Sequence, residues 1–198
     1  MLLDLVRFGH VIGISLGFGL AIYADRRFLR SLAVPITAEE IETMRAIHRH
    51  VMVAMGLLWV TGALLLYHRT GFAAAAFAPK LIFKIAIVTV LTANAFVIGH
   101  WAVPHFQRHI GAAFVEFPLR LRLKLSLVGG LSAGCWLSLL ALGVFQGFKT
   151  MPAGQIADIL QWTMALPLIG AALLGLFAPL HPDTPRAGDR GRMRPIRA

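Results

Sequence analysis

The chain has 198 residues, a formal net charge of +10 and a mean hydropathy of +0.73. Apolar residues make up 58% of it and charged residues 14%, against roughly 25% charged in an ordinary soluble domain. So little polar surface excludes a water-soluble enzyme, a disordered chain and a nucleic-acid-binding domain, and the length excludes a large transporter.

A spanning helix needs about 20 mostly apolar residues. Five windows qualify: Leu2 to Ala24, Met44 to Tyr67, Lys80 to Val103, Leu121 to Val144 and Ile156 to Leu180. They predict an all-α integral membrane bundle of five transmembrane helices. The first window carries Asp4 and Arg7 and has no A-x-A cleavage site before Asp25, so it reads as a retained helix. His10 lies about 12 Å into it. His10 shares a face with Gly13 and Gly17, and Gly9, Gly13 and Gly17 form a small-xxx-small series. Such a strip admits a neighbouring helix or a flat macrocycle, and both readings stand.

Pro35-Ile-Thr-Ala-Glu-Glu reads as a turn and a helix start, with Thr37 as the cap and Glu40 three residues later. The second helix should therefore begin near Ala38, before its apolar window. His48 lies just inside that window, and Met52, Met55, Trp59 and Gly62 continue its face. His50 lies about 200° around the helix from His48, so the two cannot share a cavity. The third window carries Lys84, Asn94 and His100. Lys84 is placed either to snorkel to the headgroups or to turn inward at the level of His10. Asn94, at mid-helix, is expected to bond a neighbouring helix. His48 and His100 fall at matched depth, about 5 Å below one membrane edge, as two axial ligands of one haem would require. His105 and His109 have metal-ligand spacing but lack a carboxylate companion, and His68 and His181 read as loop residues. Asp158 and Glu116 are isolated near the edges.

Fourteen of the nineteen Lys and Arg residues flank the first connection, the third connection and the tail. The positive-inside rule then places the N-terminus outside and the C-terminus in the cytoplasm of a bacterial inner membrane. Residues 1–180 form one transmembrane domain, and the arginine- and proline-rich residues 181–198 read as a basic, disordered cytoplasmic tail.

Histidines in an apolar interior, without carboxylate or thiolate companions, suit haem iron better than calcium, magnesium or structural zinc. Copper(I) would bring paired methionines or cysteines on facing helices. The only cysteine is Cys135, which leaves no disulfide and no CxxCH attachment, so the expected cofactor is haem b.

Leu5-Val-Arg-Phe-Gly-His10 followed by Ala24-Asp-Arg-Arg-Phe-Leu29, the helix from Met44-Arg45 to Gly62-Ala-Leu, and Pro79-Lys-Leu-Ile-Phe-Lys84 carry a resemblance. Their order is similar to that of the small integral-membrane protoporphyrinogen oxidases of bacteria and, more loosely, of copper-resistance D-type membrane proteins. The resemblance covers the first three helices. It implies haem at His10, Lys84 near the active centre, and oxidation of protoporphyrinogen with electrons passed to the respiratory chain. The chain departs from the pattern at Gly17-Phe18, where a tryptophan is usual, at Asn94, where a histidine is usual, and in its fifth helix.

The expected function is therefore a b-type haem protein that moves electrons. One haem would sit at His10 with Lys84 nearby, cradled by Gly13 and Gly17, and a second between His48 and His100. A quinone or another respiratory-chain component would be its electron partner. The alternative is a non-catalytic accessory subunit, its glycine strips serving self-association or a larger membrane complex. A copper or small-solute permease ranks third, because no charged midplane site is visible.

Overall fold

The computed structural model describes residues 1–178. Five helices in it are long and apolar enough to cross a membrane: α1 (Leu2–Arg30), α2 (Ala38–Thr70), α3 (Pro79–Arg108), α4 (Leu119–Val144) and α5 (Ala153–Phe177). Among the described residues there is no strand. Large apolar side chains face outward all around the bundle, with Val60 and Leu166 each 62% exposed and Phe177 73%. Such a surface is untenable in water and natural against lipid, and the chain is a multi-pass membrane protein. The predicted tail lies outside the described residues.

The helices overrun their apolar windows at the ends. α1 continues through the basic cluster to Arg30, and α2 starts at Ala38, with the Thr37 hydroxyl accepting from Glu40 N at 3.1 Å. Glu40 does not reach back to complete a capping box. Its carboxylate instead takes two bonds from Arg27, Nε to Oε1 at 3.0 Å and a terminal nitrogen to Oε2 at 2.6 Å. This paired geometry clamps the α1–α2 turn. α3 is α-helical from Pro79 to Val97, opens into a π turn over Ile98–Ala102 and resumes over Val103–Arg108. Pro104 has no N–H to give the preceding turn, and the looser π turn absorbs that gap.

α1 packs on α2, and α4 packs still more extensively on α5; α3 leans on α4, and α2 meets α3 chiefly at the π turn and last turns of α3. The first and third connections pair by backbone bonds, Ile36 N to Ala112 O at 3.0 Å and Gly111 N to Ile36 O at 2.9 Å. A cluster of Phe28, Ile36, Ile41, Phe106, Phe114 and Phe117 seals that end. The two most basic connections thus share one face of the bundle. At the other face, Lys80 Nζ donates to Phe145 O at 3.0 Å and ties the start of α3 to the end of α4.

The α4–α5 seam depends on glycine. A Cβ on Gly130 would stand 2.6 Å from Ala171 Cβ and 2.9 Å from Pro167 O, and one on Gly134 would stand 3.2 Å from Met164 Cα. The backbones approach closely because both positions lack a side chain. Gly130→Ala is expected to lower the thermal midpoint in detergent, through an overpacking cost of about 1–3 kcal/mol. Gly143→Ala, whose Cβ meets nothing within 4 Å, should hold or raise it. A melt followed by tryptophan fluorescence distinguishes them, and equal midpoints would contradict the close seam.

Candidate functional site

The histidines separate by where each ring proton goes. His50, His100, His105 and His109 each direct Nδ1 to the carbonyl four residues back on the same helix, at 2.6, 3.0, 2.7 and 2.8 Å. These are local bonds that any interfacial histidine can make. His10 differs. Its Nδ1 lies 2.9 Å from the Thr61 hydroxyl on α2. Thr61 Oγ1 donates its one proton to Leu57 O at 2.6 Å, so it receives the proton of His10 Nδ1. The ring is thereby fixed as the Nδ1–H tautomer, and Nε2 keeps a free lone pair. Gly62 passes beneath the ring, where a Cβ would lie 3.5 Å from His10 Cε1.

Lys84 lies within electrostatic reach of His10 and is half-buried. It makes no hydrogen bond or ion pair among the described residues. The glycine strip of α1 is filled by neighbouring side chains. A Cβ on Gly13 would stand 3.1 Å from Leu58 on α2, and Gly17 is covered by the indole of Trp136 on α4. Gly13 and Gly17 therefore act as a packing groove for Leu58 and Trp136. Asn94 bonds a neighbouring helix as expected, Nδ2 donating to Val128 O at 3.0 Å.

His48 and His100 come close together without facing one slot. His48 Nε2 abuts the backbone of Gly99 in the π turn, where a Cβ would overlap the imidazole. His100, the next residue, is exposed and lies beside the Phe96 ring at 6.1 Å between centroids. A helix backbone stands where iron bound to His48 Nε2 would have to be. Among the described residues, no three His, Cys, Asp or Glu side chains gather to hold a metal ion.

What His48 does line is a central cavity of about 170 Å³ between α1, α2, α3 and α4. Its walls include Phe28, Met55, Leu91, Val128 and Trp136, and its polar groups are Asp25, Arg27, His48 and Ser132. Asp25 was not singled out from the sequence, where it reads as part of the basic cluster ending the first window. Because α1 runs on to Arg30, Ala21, Ala24, Asp25 and Phe28 form one helical stripe along the cavity wall.

The chain matches no family model, no curated protein and no solved structure.

At His10 the donor chemistry is right for haem: an anchored ring, a free Nε2 and a neighbouring cation. The central cavity is too small, since a dry cavity of about 150 Å³ holds a single benzene ring and a porphyrin carries four pyrroles. Gly99→Ala should displace the His48 ring and lower the thermal midpoint, by about 1–3 kcal/mol for a forced shift in a packed interior. The double variant Gly99→Ala/His48→Ala should recover part of that loss, and a double variant no more stable than the single would show that the two residues do not meet.

Proposed function

We propose that the chain is a b-type haem-binding protein of the bacterial inner membrane that moves electrons, with His10 as the axial ligand. The observation that carries this reading is the cross-helix bond from His10 Nδ1 to Thr61, which leaves Nε2 unspent. A ligating histidine characteristically gives its other ring proton to a fixed acceptor. The histidines that bond their own helix also give Nδ1–H to a carbonyl and keep Nε2 free; what sets His10 apart is that its acceptor comes from a second helix, inside the bundle. Haem, when bound, would supply a one-electron redox couple. The chain's own residues do the rest. Thr61 orients the imidazole, Gly62 leaves room beneath it, and the Lys84 ammonium is placed to neutralise a propionate. The reading keeps one haem site and drops a second between His48 and His100, because of the Gly99 backbone. In the proposed topology the N-terminus is outside and the C-terminus cytoplasmic, supported by the two basic connections sharing one face. A respiratory-chain component is the proposed electron partner, and the first-three-helix resemblance to protoporphyrinogen oxidases makes protoporphyrinogen the first substrate to assay.

Protein purified after expression with ample haem is expected to be red, with a Soret band that shifts on reduction. His10→Ala should abolish the band. Thr61→Val, nearly isosteric but without the acceptor, should weaken haem binding about tenfold while leaving the fold intact. A colourless wild-type protein would overturn the proposal, and if it came with a stoichiometric partner in mild detergent, the accessory-subunit reading would replace it.

A further inference from the structure

The central cavity has a size, a polarity and a place that the haem reading does not use. At about 170 Å³ it is slightly larger than the roughly 150 Å³ that accommodates a benzene ring. Its walls are mostly apolar, yet three different helices each contribute a residue with a hydrogen-bonding group to its lining: Asp25 from α1, His48 from α2 and Ser132 from α4. Arg27 also reaches the wall, but its guanidinium is engaged by Glu40 and by Tyr23 Oη at 3.2 Å. Asp25 forms no hydrogen bond or ion pair among the described residues, and neither does His48. A carboxylate bordering an apolar space without a partner is costly, and a ligand that donates to it offsets the cost.

We propose that this cavity binds the head of a quinol, a single six-membered ring carrying hydroxyls at opposite ends. One hydroxyl would donate to the Asp25 carboxylate. The opposite one would meet His48 or Ser132, with the ring between the Met55, Leu91 and Trp136 side chains. Polar groups on three helices suit a ring that is polar at both ends. A ring with one charged end, such as an arylalkyl ammonium, would use Asp25 and leave the others idle. The site lies about 22 Å along α1 from His10, at 1.5 Å per residue, and its occupancy does not depend on haem.

The test is anaerobic calorimetric titration of the detergent-solubilised protein with trimethylhydroquinone, on wild type and on His10→Ala. Saturable, one-to-one binding is expected in both, so a failure of the haem reading leaves this result standing. Asp25→Asn should raise the Kd about tenfold, the loss of one charge-assisted hydrogen bond. Gly129 lines the cavity and a Cβ there meets nothing within 4 Å, so Gly129→Leu fills the space from an open starting point. That variant should keep the wild-type thermal midpoint and lose the saturable heat. Heats equal in wild type and Gly129→Leu would mean partition into detergent and overturn the proposal. Benzylammonium binding that depends on Asp25, with no quinol heat, would overturn it in favour of an organic cation.

Discussion

A proton on nitrogen or oxygen that stands in hydrocarbon must find its acceptor within the protein. The interior of this bundle is organised by that requirement. Threonine hydroxyls return theirs to the carbonyl three or four residues back, as Thr61, Thr89, Thr92 and Thr163 do, whereas the buried Ser126 hydroxyl has no partner among the described residues. Each hydroxyl so engaged becomes a pure acceptor for a second helix. Thr61 then takes the His10 ring proton, Thr92 takes Trp59 Nε1–H at 2.9 Å, and Thr163 takes the Ser138 hydroxyl at 2.6 Å. The same device thus links α1 to α2, α2 to α3 and α4 to α5. At His10 it has a chemical consequence, because fixing one ring nitrogen decides what the other can do.

The five spans were legible in the sequence because helix length against bilayer thickness is a one-dimensional property. The Thr37 cap was legible for a similar reason, since its partner is three residues away. The facing of His48 and His100 was not. Their matched depth follows from rise per residue, but which residue faces His48 depends on the rotation of α3. The π turn at Ile98–Ala102 inserts its extra residue at that place and swings Gly99, not His100, under the His48 ring. Asp25 was missed because the apolar window stops at Ala24 while the helix continues. The stripe Ala21, Ala24, Asp25, Phe28 at spacings of three, four and seven was the available signal. The glycine strip of α1 reads as a surface for either a neighbouring helix or a flat ring. What approaches is Leu58 and Trp136, which no local pattern could reveal, since Trp136 comes from 119 residues further along the chain.

The fifth helix has no polar group facing the cavity, yet it bears on the site. α4 supplies Ser132, Gly129 and Trp136 to the cavity wall from one face. Its opposite face is locked to α5 through Gly130, Gly134 and the Ser138–Thr163 bond. Arg122 adds a tie at the end, donating to Val115 O at 2.9 Å and to Leu176 O at 3.4 Å. Three helices sealed around the His10 region would leave α4 free to roll, because in lipid there is no hydrophobic drive holding it in one rotation. α5 removes that freedom and so fixes where the Trp136 indole lies against Gly17.

α1 is the element on which the two regions meet. It presents His10 near one end and Asp25 near the other, so any tilt of α1 relative to α2 displaces both in opposite senses. Two contacts oppose such a tilt, the Thr61 bond at the His10 end and the Arg27–Glu40 pair at the Asp25 end. The latter is only partly exposed, at 30% and 18% of its side-chain surfaces, so it is less screened than a pair in open water. Between them Gly13 and Gly17 keep α1 pressed against Leu58 and Trp136, with no side chain of its own to act as a spacer. The helix is held at both ends and seated along its middle, which is what a rod must be if a ring nitrogen at one end and a carboxylate at the other are each to keep a fixed position in lipid.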